Sequence, residues 1–104
     1  MKLLDLRARD GSRQFLALAE VVPWGRLRAH LGNLAGAKET GYLSDEVTEV
    51  WIDFQYRGHA FSVNNPCGEY WFFVRDPACP GSVLESVAQH CAWLFTADDT
   101  PSAQ

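Results

Sequence analysis

The stretch Glu49–Val63, "EVWIDFQYRGHAFSV", decides how the rest of the chain is read. Successive residues of a strand point to opposite faces. Val50, Ile52, Phe54 and Tyr56 therefore share one face, and Glu49, Trp51, Asp53, Gln55 and Arg57 share the other. Arg57 and Gly58 offer a two-residue turn, with the glycine able to take positive φ. Folding at that turn sets Tyr56 opposite His59, Phe54 opposite Phe61 and Ile52 opposite Val63. Each pair joins residues of the apolar face, so turn chemistry and hydrophobic pattern fix the same register.

Working downstream, "NNPCG" at 64–68 marks a second turn. A loop over 65–68 sets Asn64 opposite Glu69, Val63 opposite Tyr70, Phe61 opposite Phe72 and His59 opposite Val74. The expectation is an antiparallel three-stranded meander over 48–57, 59–64 and 69–75. Asp76 and Pro77 end it, because proline cannot donate to a ladder. Pro80, Gly81 and Ser82 then start a helix, with Ser82 and Glu85 spaced as a capping box. Leu84, Val87, Ala88, Cys91, Leu94 and Phe95 form its apolar stripe.

Upstream, Leu4, Leu6 and Ala8 alternate with charged residues, which suits a short strand over 2–8. Phe15, Leu18, Ala19 and Val22 follow at helical spacing after the turn and cap residues Asp10, Gly11 and Ser12, and Pro23 stops them. In 24–34, Leu27, Leu31 and Leu34 have helical spacing while Arg26, Arg28 and His30 alternate with apolar residues as a strand would. The helix reading is preferred. Residues 35–46, "AGAKETGYLSDE", read as a glycine-punctuated surface loop. The expected fold is α+β, two-layered, in the order β-α-(α)-β-β-β-α. It has a mainly antiparallel sheet of the meander plus the N-terminal strand, with two or three helices on one face.

A chain of 104 residues with 47% hydrophobic residues is one domain with a core of its own, here 1–95, followed by a small acidic tail at 96–104. No run of 18 apolar residues suggests a membrane span. The three cysteines leave one unpaired, which points to a reducing cytoplasm. In scale, though in no motif, the plan matches small bacterial cytosolic proteins that act by binding. Residues 1–38 carry seven basic and three acidic groups, net +4, and residues 39–104 carry two basic and ten acidic groups, net −8. The overall charge of −4 disfavours nucleic acid as a partner.

Catalytic and metal chemistry find little support. Cys67, Cys79 and Cys91 recur every twelve residues, but zinc ligands come as pairs two to four residues apart, and no such pair exists. His59 and Cys67 lie at opposite ends of one strand pair, and His59 and Ser62 lie on opposite faces, so neither pair makes a nucleophile and base. The sequence is against an enzyme and implies no cofactor.

The surplus lies in the face turned away from the helices. Trp51, Asp53, Trp71, Phe73 and Arg75 fall there, with Ala60, Ser62 and Asn64 between them. The expected cross-strand rows are Asp53, Ser62, Trp71 and Gln55, Ala60, Phe73. Aromatics and arginine on an exposed face mark interfaces. The functional expectation is a small soluble non-enzymatic interaction module, homodimeric or bound to another protein through these five residues, unless the 35–46 loop or the N-terminal segment covers them. The alternative is a small enzyme or ligand-binding protein, with a pocket between the sheet and the 35–46 loop that involves His59, Tyr56 or Cys67.

Overall fold

In the computed structural model, which describes residues 2–45 and 49–99 and the side chains of these up to 95, the chain is an α+β fold with one six-stranded antiparallel sheet and two helices. The strands are β1 (Leu6–Arg7), β2 (Arg13–Ala19), β3 (Lys38–Ser44), β4 (Val50–Tyr56), β5 (His59–Asn64) and β6 (Glu69–Val74). The helices are α1 (Trp24–Gly32), between β2 and β3, and α2 (Gly81–Asp99), after β6. The sheet order is β1-β2-β6-β5-β4-β3, so α1 carries the chain from β2 across one face to the far edge. Of the tail expected at 96–104, the backbone of 96–99 continues α2, and 100–104 lie outside the described residues.

The meander forms where expected. Its first hairpin has the expected register, with Tyr56 opposite His59, Phe54 opposite Phe61 and Ile52 opposite Val63. Arg57 (φ 51°) and Gly58 (φ 78°) both take positive φ, the type I′ geometry that matches strand twist. The second hairpin is shifted by two residues: Val63 faces Phe72, Phe61 faces Val74 and Asn64 faces Trp71. An even shift keeps every side chain on its expected face.

Two expectations are corrected. Residues 13–19 form β2, not a helix. A β-bulge between Gln14 and Leu16 lets consecutive residues Phe15 and Leu16 both reach the core. The bulge breaks the two-residue period, and the leftover spacing of Phe15, Leu18, Ala19 and Val22 imitates a helix. Residues 38–44 are likewise not loop but β3, paired to β4 from Lys38 opposite Gln55 to Ser44 opposite Val50. β3 is an edge strand, largely exposed on both faces, so burial imposed no apolar alternation on its sequence. The element order is therefore β-β-α-β-β-β-β-α. The N-terminal strand is shorter than expected and takes the edge beside β2.

The core lies between one sheet face and the helices. Ile52, Phe54, Phe61, Val63, Tyr70, Phe72 and Val74 from the sheet meet Leu27 and Leu31 of α1 and Leu84, Val87, Ala88 and Cys91 of α2. Phe15 closes it at the bulge, edge-on to Phe61 with ring centroids 5.7 Å apart. Tyr70 is fully buried and donates its hydroxyl hydrogen to the Val22 carbonyl, tying β6 to the start of α1. Because α2 begins at Gly81, Ser82 sits inside the first turn, and the Pro80 carbonyl accepts from the Val83 and Leu84 amides. At the β3 edge, Arg28 of α1 holds Glu39 with a two-pronged ion pair (2.7 and 2.9 Å) and lies 3.7 Å over the Tyr42 ring.

Candidate functional site

Neither helix covers the other sheet face. The register places Leu43, Trp51, Asn64, Trp71 and Ala17 side by side across β3, β4, β5, β6 and β2. The next row is Gly41, Asp53, Ser62, Phe73 and Gln14, ending at Leu6 on β1. The expected rows are thus offset on β6, so that Trp71 stands beside Asn64 and Phe73 beside Ser62. Trp51 remains 43% exposed and Leu43 74%, while Trp71 and Phe73 are half-buried.

Short polar bonds orient this floor. The Trp51 indole N–H donates to Asp53 Oδ1 at 2.8 Å, and the Ser62 hydroxyl donates to the same oxygen at 2.8 Å. The Trp71 indole N–H donates to Glu69 Oε1 at 2.9 Å. Each indole is held by a carboxylate two residues along its own strand, which leaves the ring faces as the free surface. Opposite Asp53, a Cβ on Gly41 would lie 3.1 Å from Asp53 Oδ2, so the glycine makes room for that carboxylate. Asn64, between the two tryptophans, keeps a buried side-chain oxygen with no donor among the described residues.

The N-terminal segment supplies partial cover. The turn from β1 to β2 is tied by the Asp10 carboxylate, which accepts from the Ser12 hydroxyl (2.7 Å) and amide (3.0 Å). Those bonds, with a smaller contribution from Arg75, hold the Asp10 carboxyl below the usual carboxylate range. Ala8, Arg9 and Asp10 overhang the sheet and enclose about 280 Å³ with Trp51, Ser62 and Phe73. An adjoining cavity of about 510 Å³ runs toward the β4–β5 turn, among Asp10, Thr40, Asp53, Gln55, Phe73 and Arg75. A third, about 440 Å³, lies at the other end by Leu43, Glu49, Trp51 and Asn64. The face is a shallow trough with an aromatic floor; of the five expected residues Trp51, Asp53, Phe73 and Arg75 line at least one of these cavities, and Trp71 lies on the same face by register but lines none of them.

The trough is electrically polar along the strands. Glu20, Asp45, Glu49 and Glu69 gather at the end near Trp51 and Trp71 without a base beside them in the sheet register, while at the opposite end Lys38, Arg57 and Arg75 stand with Asp10 and Asp76. The division of charge between the N- and C-terminal parts of the sequence gives no sign of this arrangement.

The groups considered for chemistry are not brought together. His59 sits beside the β4–β5 turn, Cys67 is exposed in the loop at the other end of β5, and the Tyr56 ring is buried on the helix side. No histidine or cysteine lines the three cavities. Burial pushes the Cys91 and Cys79 thiols up, away from the reactive thiolate. Among the described residues no three His, Cys, Asp or Glu side chains are grouped to hold a metal, and no helix is long and apolar enough to cross a membrane.

A second feature had no signal in the sequence. His30 of α1 and His90 of α2 stack with centroids 3.9 Å apart and planes 14° from parallel. Each Nε2 lies 2.6 Å from the other residue's backbone carbonyl oxygen. A carbonyl only accepts, so both rings carry hydrogen on Nε2. The exposed Trp93 ring stacks on His30 at 5.7 Å.

Comparison with protein families, curated proteins and solved structures found no match.

Proposed function

We propose that this chain is a non-enzymatic interaction module that binds a protein partner through the outer sheet face. The observation that carries this reading is the aromatic floor, exposed Trp51 and half-buried Trp71 with exposed Leu43, whose indoles are oriented by their own carboxylates and covered by neither helix. Holding bulky rings in place before binding lowers the ordering cost of association, and such anchors carry most of an interface's energy. A second copy is one partner that fits, since symmetric dimers are the commonest oligomers and the face is continuous. Cytoplasmic residence would suit the exposed free thiol of Cys67.

The test combines sizing with capture. Light scattering over a concentration series reports self-association, and affinity capture from the native host, followed by reconstitution with the purified captured protein, reports another partner. Trp71→Glu is the comparison in both. Loss of a tryptophan anchor of at least 2 kcal/mol weakens association by about 30-fold or more. A partner that binds wild type and Trp71→Glu equally, with both folded, would refute the assignment of this face.

One observation favours a second reading. The cavity of about 510 Å³ has a polar lining, with Asp10, Asp53 and Arg75 around Gln55 and Ser62, and could admit a small polar ligand. Binding that is abolished by Arg75→Ala but unaffected by Trp71→Glu would support it over the protein-binding reading.

A further inference from the structure

The trough has different chemistry at its two ends. At the Trp51 and Trp71 end, the outward charged groups are carboxylates. Among the described residues the Glu49 carboxylate has no partner and Glu69 uses one oxygen on the Trp71 indole, while the undonated Asn64 oxygen is buried in the floor between the two rings. The natural donors there are spent, since the Trp51 and Trp71 N–H groups are bound to Asp53 and Glu69. What the indoles still offer is their π faces, which carry negative potential and attract cations. The cavity at this end presents Asp45, Glu49 and Asn64 around Trp51 and Leu43, and no lysine or arginine lines it. Of the bases on this face, Arg9 on the overhanging turn shares the adjoining cavity with Trp51, and Lys38 and Arg75 lie toward the other end.

Geometry narrows the ligand further. β4 and β6 are two strand spacings apart, about 10 Å, so the two indoles flank Asn64 with Glu49 and Glu69 one step beyond them along the strands. A flat cation fits that frame better than a spherical one. A guanidinium can stack on an indole while its edge donates to a carboxylate, whereas an ammonium is a strongly hydrated point charge. The net charge of −4 favours approach by a basic partner.

We infer that the Trp51–Asn64–Trp71 end of the outer face recognises a basic protein segment, seating an arginine guanidinium over the indoles between Glu49 and Glu69. The inference rests on the outer face being an interaction surface and adds the chemistry of the partner.

The probe is the capped peptide Ac-Arg-Gly-Arg-Gly-Arg-NH2, with the citrulline peptide as its neutral near-isostere. The readout is the NMR signal of the four indole N–H groups, in which Trp24 and Trp93 serve as internal controls. The expected result is saturable movement of the Trp51 and Trp71 signals, with the arginine peptide binding about tenfold more tightly than the citrulline peptide. Raising salt from about 50 to about 300 mM weakens it severalfold, and Glu49→Gln with Glu69→Gln removes most of the difference between the peptides. Both glutamates are exposed, so the doubly substituted protein keeps its fold, as far-UV circular dichroism would verify. Equal binding of the two peptides, movement confined to Trp24 or Trp93, or no movement would each overturn the inference. Self-association of the wild type that Trp71→Glu abolishes would also overturn it, while leaving the outer-face reading intact.

Discussion

The histidine pair between α1 and α2 makes a quantitative prediction about stability. His90→Phe keeps a flat ring against His30 but removes the donor to the His30 carbonyl. That carbonyl still accepts from the Asn33 amide at 3.0 Å, so it is not orphaned, and the loss is one net hydrogen bond of about 1 kcal/mol. His30→Phe with His90→Phe removes both bonds and costs about 2 kcal/mol, close to a 10 °C fall in midpoint for a domain of this size. The pH dependence has a definite sign. Burial holds the His30 imidazole below its ordinary value of 6.5, reinforced by the charges of His90 and Arg26 and opposed by the bond to the His90 carbonyl. The unfolded chain therefore takes up a proton first as pH falls. The stability His30 contributes is fully present above about pH 6.5 and is lost as pH drops through its lower folded value. Protonation keeps the Nε2 donor but sets a cation against the second ring and near Arg26. Urea unfolding followed by tryptophan fluorescence, at about pH 7.5 and about pH 5.5, separates the two effects. Wild type should lose more stability across that interval than the double variant, which lacks the His30 imidazole. Equal losses would refute the linkage, and a double variant as stable as wild type at pH 7.5 would refute the two bonds.

Two further outcomes follow from backbone and burial. Gly58 sits at φ 78° in the type I′ turn, so Gly58→Ala should cost about 1 kcal/mol by urea unfolding. In contrast, Gly25 lies in α1 with open space around it, and Gly25→Ala should gain about 0.5 kcal/mol; a loss at both or a gain at both would contradict this account. Of the three thiols, Cys67 is exposed while Cys79 and Cys91 are buried, so a thiol reagent such as DTNB should consume one equivalent rapidly in the native protein and three after unfolding. Two rapid equivalents would mean that α2 or the loop before it opens easily.

The central hairpin was legible because every constraint on it is local. Alternation assigns Ile52, Phe54, Phe61 and Val63 to one face, and Arg57 with Gly58 supplies the matching turn. The α2 stripe was legible for the same reason, since its apolar residues at helical spacing all reach the core. β2 was misread because a bulge uses an irregularity that pattern reading treats as a change of period. β3 was missed because an edge strand exposed on both sides carries no hydrophobic signature, and its lysine, glutamate and glycine look like loop. Assignment of Trp71 and Phe73 to the outer face survived a wrong register on β6, because the error was two residues and facing depends only on parity.

The sequence by itself determined which side of the sheet each aromatic residue takes, since alternation is a property of neighbouring peptide units. The tertiary structure decided what stands beside and above those residues. It set Asn64 between two tryptophans, laid the β1–β2 turn over Phe73, gathered Glu49 and Glu69 at one end of the strands, and closed His30 on His90 from sixty residues away. Such neighbours are brought together by chain reversal and sheet order. Those depend on the packing of the whole core, which no short window of sequence encodes.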